Sequence, residues 1–127
     1  MKVLLLQNKR IMAELNGKTI FTDQSTQSDG LGIYPSPFDI FKASIGCCMG
    51  YYVRSFCAKN DIPLDSVWLE IDFVEEDIIQ DVNVKIMVDD RFPEKYTKAV
   101  INSANACKVK KQIKSAPNFN IQVEKAA

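Results

Sequence analysis

The stretch "SPFDIFKASIGCCMGYYVRSFCAK", Ser36–Lys59, decides how this chain folds. Ser36 stands as an N-cap, Pro37 at the first helical position and Asp39 at the third, an S-x-x-D capping box. Phe38, Phe41, Ile45, Cys48, Tyr52 and Phe56 then recur at steps of three and four, which predicts one buried helical face. Ile40, Met49 and Val53 widen that face, so the helix is expected to be central rather than superficial. It should run to about Lys59, because Pro63 prevents continuation. Inside it, Cys47 and Cys48 sit between Gly46 and Gly50. Each glycine costs about 1 kcal/mol against alanine in a helix. The pair therefore implies close approach of backbone, a second helix or another molecule.

Before this helix the chain reads as a β-meander. Residues 3–6 form a short apolar strand, "QNKR" a turn, and Ile11–Leu15 a second strand. Asn16-Gly17 tolerates positive φ at both turn positions and predicts a hairpin into a third strand over Thr19–Thr22. "DQSTQSDGLGIYPSP" is polar and rich in Gly, Ser and Pro, hence a loop. A loop of this length is often functional or reaches a partner.

Beyond the helix, Val67, Leu69, Ile71 and Phe73 alternate with polar residues as a half-buried strand. Residues 81–88 give another, with Val82, Val84, Ile86 and Val88 inward. A second helix is expected to open at Pro93, with Tyr96, Val100 and Ala104 on one face. "SANACKVKKQI" reads as a further helix start, with Asn105 as N-cap and Cys107 in its first turn. Phe119, Ile121 and Val123 alternate as a last strand. The order predicts one α+β domain over residues 1–127, with mainly antiparallel sheet packed on a long helix.

The formal net charge is zero, and like charges form no long run. That gives no field to hold nucleic acid. The opening "MKVLLL" is too short for a secretory core, and no segment has the apolar length to span a bilayer. The chain is therefore read as cytoplasmic, with neither nucleic acid nor membrane as a partner. Four cysteines suit a reducing compartment as free thiols. They show no C-x-x-C spacing, and with no histidine in the chain a metal centre is not expected. The missing histidine also removes Ser-His-Asp and Cys-His activation. Chemistry must come from thiols, carboxylates, Arg, Lys, Tyr or backbone, and no cofactor is implied.

The cysteines separate by context. Cys57 reads as a small core hydrophobe. Cys48 shares the apolar stripe with Ile45 and Tyr52, while Cys47 points about 100° away. Neighbours on one helix do not close an ordinary disulfide. At Cys107, the helix start and Lys108, Lys110 and Lys111 favour the thiolate.

Together, "YPSPFDIFKASIGCCMGYYVRSFC" and, some sixty residues on, "SANACKVKKQI" resemble the osmotically inducible protein C family (OsmC/Ohr) over essentially the whole chain. The resemblance implies antiparallel sheets packed on a long central helix, in an intertwined homodimer with both active sites at its interface. It implies reduction of organic hydroperoxides, with Cys48 as peroxidatic and Cys107 as resolving cysteine, and regeneration by an external thiol. Phe38, Phe41, Ile45 and Tyr52 become candidates for an apolar substrate lining. Better-characterised members place a glutamate where this chain has Phe38, and it pairs with an arginine from an early loop. Here Asp39 is one residue on, and Arg10 is the nearest positional match. These departures place the sequence with a less characterised branch. Two other readings are carried along with the peroxidase: a non-catalytic small-ligand binder and a redox sensor.

Overall fold

A computed structural model of the chain describes residues 1–126. The described residues form two compact units, residues 1–44 and 45–126.

The first unit is built by two tight turns. Strands β1 (Lys2–Leu5), β2 (Ile11–Leu15) and β3 (Lys18–Thr22) form an antiparallel meander in the order β1-β2-β3. Asn16 and Gly17 both take positive φ, 51° and 73°, as the Asn-Gly signal requires. The β1–β2 turn uses the same device at Asn8 and Lys9. Strand β1 lies one residue earlier than the sequence predicts. In the following loop, the buried Asp23 carboxylate accepts hydrogen bonds from the amides of Gln24 (2.7 Å), Leu31 (3.3 Å) and Ile33 (3.0 Å). The loop therefore closes on a carboxylate rather than on apolar side chains. Among residues 1–44, the fully buried positions are Asp23 and Gly30.

Helix α1 (Pro37–Lys59) starts and stops where its sequence signals stand. The Asp39 amide donates to Ser36 Oγ at 3.1 Å. After Lys59 the chain turns through Asp61, with φ of 55°, toward Pro63. The buried face differs in phase from the sequence expectation. Ile45, Met49, Val53 and Cys57 are buried, whereas Phe38 and Phe41 are exposed and Cys48, Tyr52 and Phe56 half-buried. Large size selected the aromatic stripe, but a neighbouring stripe of slimmer side chains meets the sheet.

In the second unit, β4 (Val67–Glu75) pairs antiparallel with β5 (Ile79–Val88), from Val67 opposite Val88 to a bulge at Val74/Glu75. Two antiparallel sheets are thus present, one of three strands and one of two. The inward β4 residues Leu69 and Ile71 meet α1 at its glycines. A Cβ on Gly46 would lie 3.2 Å from Ile71 Cδ1, so the close approach implied by this glycine is to β4. Pro93 does not open a helix directly. A 3₁₀ turn over Glu94–Tyr96 intervenes before α2 (Thr97–Asn105). Val53, Cys57, Ile62, Val100 and Ala104 form one core cluster, and Ile45, Met49 and Cys107 a second.

Helix α3 (Lys108–Ile113) has its N-cap two positions later than expected. Asn105 ends α2, and Cys107 itself is the N-cap. The last strand does not form within the chain. Residues 116–126 are irregular, with Phe119, Ile121 and Val123 at 83%, 92% and 100% exposure. An alternating pattern supplies one apolar face, but a strand also needs an edge to pair with, and none is joined here.

Candidate functional site

The site assembles where α1 meets the short connection between α2 and α3. Cys48 is held on the half-buried shoulder of α1, beside the buried Ile45 and Met49. Cys107 is fully buried in one cluster with the same two residues, and Cys48, Tyr52, Phe73, Val84 and Val109 pack against that cluster. The chain reaches Cys107 because α2 ends at Asn105 and turns sharply. The Cys107 amide donates to the Ala104 carbonyl (3.2 Å), and that of Lys111 then donates to the Cys107 carbonyl (3.2 Å). All four cysteines are free thiols.

Cys48 packs against the cluster that holds Cys107, and their environments push their acidities apart. The Val109 backbone amide holds the Cys48 pKa below the ordinary thiol value, against the opposing effect of burial. Cys107, the Lys108 amide and the Lys108 charge add to that lowering. Burial pushes the Cys107 thiol up, and a charged Cys48 beside it pushes further. The Lys110 and Val109 amides offset part of this. The Lys110 amide donates to Cys107 Sγ at 3.4 Å. Stabilisation of the Cys48 anion therefore comes from backbone N–H groups at the start of α3, with the Lys108 ammonium adding to it. Composition does not display such donors. The hint in the sequence is the thiol-first, lysine-rich opening of "CKVKKQI", expected to favour the Cys107 thiolate; the structure instead raises the Cys107 pKa and lowers that of Cys48.

The other sequence candidates divide between the two units. Tyr52 and Ile45 lie with the thiols, and Tyr52 also meets Tyr51 edge-on at 5.2 Å between ring centroids. Phe38, Phe41, Asp39 and Arg10 belong to residues 1–44. Phe38 and Phe41 stack on each other at 5.8 Å. The Asp39 amide is engaged with Ser36, as described. Arg10 Nε donates to the Gln7 carbonyl (3.2 Å), and its charge supports the Asp23 anion. Burial alone would raise the Asp23 carboxyl, but the three amides and Arg10 together hold it below the ordinary range. Sequence reasoning missed Asp23. An Asp opening a Gly- and Ser-rich loop was the available signal, since Asp caps nearby backbone N–H groups in turns.

Cys57 is buried beside Val53 and Ile62, and burial pushes its thiol up, as a core filler requires. Cys47 is exposed. Among the described residues, no helix is long and apolar enough to cross a membrane.

The family model for OsmC-like proteins matches residues 28–122. A crystal structure of a putative osmotic stress induced and detoxification response protein from Psychrobacter arcticus superposes with a TM-score of 0.72 at 24% identity. The match covers 87% of this chain and 85% of that one. No curated protein matches the chain.

Proposed function

Because the chain belongs to the OsmC-like protein family, we propose that it reduces organic hydroperoxides with electrons from an external thiol. One arrangement carries the reading: Cys48 packs against the cluster that holds Cys107, with its own thiol held below the ordinary pKa and that of Cys107 pushed up. The Cys48 thiolate attacks the distal peroxide oxygen. The O–O bond breaks, the alkoxide leaves and takes a proton as the alcohol, and Cys48 becomes a sulfenic acid. The Cys107 thiol condenses with it, forming the S–S bond and releasing water. Two equivalents of external thiol then restore both cysteines by exchange and leave as a disulfide. Ile45 and Tyr52, packed beside the sulfurs, favour an alkyl or aryl peroxide over hydrogen peroxide.

The same reading includes a second copy of the chain. Val3, Leu5, Ile20, Ile33 and Phe38 are exposed in the first unit, as are the three alternating residues of the tail. Covering these by a partner, with the tail adopting its predicted strand against that partner, satisfies both the apolar surface and the unpaired pattern.

The test is consumption of cumene hydroperoxide with dithiothreitol by wild type, Cys48→Ser and Cys57→Ser. Loss of turnover only in the Cys48 variant is expected, and undiminished turnover in that variant refutes the assignment. A stoichiometric Cys48–Cys107 disulfide without turnover in the wild type favours a redox sensor instead.

A further inference from the structure

A cavity of about 290 Å³ opens between α1 and β4, on the Cys47 side of the helix. Gly46 and Gly50 line it together with Cys47, Arg54, Leu64, Val67 and Trp68. Gly50 leaves room: a Cβ there would meet only Leu69 Cδ1, at 3.9 Å. The rim residues Leu64 and Trp68 stay exposed, at 46% and 47%. Trp68 is fixed by its indole N–H, which donates to Glu70 at 3.1 Å. Arg54 is the only charged lining residue. Its guanidinium also differs from the other two in the chain. Arg10 is bonded to Gln7, and Arg91 is paired with Asp89 and Asp65. Among the described residues Arg54 has no hydrogen-bond or ion-pair partner.

We propose that this groove binds a small apolar carboxylate, its chain or ring against Leu64, Val67 and Trp68 and its carboxylate on Arg54. A guanidinium presents a planar fork that matches a carboxylate in two parallel bonds. The volume suits a small organic acid rather than a long lipid. The inference does not depend on the peroxide chemistry, since neither Cys48 nor Cys107 lines this groove.

Trp68 is the only tryptophan in the chain, so its fluorescence reports on the groove alone. Octanoate should shift the emission of the full chain saturably. Arg54→Gln should weaken that binding by about tenfold or more, the scale of a charge-assisted bond. Octan-1-ol, with the same chain and no charge, should bind wild type about as weakly as octanoate binds the variant. Gly50→Leu, which fills the groove and leaves Arg54 in place, should also weaken octanoate. Absence of a saturable shift, or equal affinity for acid and alcohol, overturns the proposal. So does unchanged octanoate affinity in both variants.

Discussion

At the residue scale, the consequential pair is Cys48 and Cys107. The Cys48 pKa is lowered in the folded chain, so its reactivity toward an alkylating agent should rise at a pH below that of an ordinary thiol. Cys107, pushed up, should react only at higher pH. The coupling fixes the sign of two substitutions. Cys107→Ala removes a thiol that favours the Cys48 anion, so the Cys48 profile should move to higher pH. Cys48→Ser removes a neighbouring anion, so the Cys107 profile should move lower. Iodoacetamide labelling against pH, read for each cysteine by peptide mass spectrometry, measures all four. A Cys48 profile unchanged in Cys107→Ala would disprove the coupling. The two cysteines themselves were legible in the sequence, because thiols are rare and their contexts distinct. Their activating group was not, because peptide N–H groups are common to every residue and only the fold aims them.

At the element scale, the glycines divide by what surrounds them. A Cβ on Gly30 would overlap the Gln24 carbonyl, so Gly30→Ala must open the Asp23 loop, at a cost of about 1–3 kcal/mol. A Cβ on Gly50 makes an ordinary contact, so Gly50→Ala should stabilise α1 by about 0.5–1 kcal/mol. Urea unfolding of both variants checks the opposite signs. Local signals read this level well. Ser36, Pro37 and the turn before Pro63 bound α1, and Asn16-Gly17 makes its hairpin, because caps and tight turns depend on a few adjacent residues. Phase and pairing were less legible. The stripe through Ile45, Met49, Val53 and Cys57 won over the aromatic one because β4 lies against Gly46, a fact of tertiary structure. The tail carried a strand pattern at Phe119, Ile121 and Val123, yet pattern alone supplies no ladder.

At the scale of the whole molecule, the proposed partner copy bears on stability. A stable interface buries about 1,600 Å² in total, and exposed apolar side chains are spread over residues 1–44 and the tail. With zero formal net charge, two copies meet no long-range repulsion. The chain should sediment as a dimer at micromolar concentration, and removal of residues 116–127 should shift it toward monomer. A dimer of undiminished affinity after truncation would take the tail out of the interface. The meander of residues 1–44 has a further consequence. Its fully buried positions are Asp23 and Gly30, so no apolar side chain of its own is fully enclosed. A three-stranded sheet in that condition is marginal alone. Amide protons of β1–β3 should therefore exchange with deuterium faster as the protein is diluted, whereas those of β4 and β5, backed by their own clusters, should keep a rate independent of concentration.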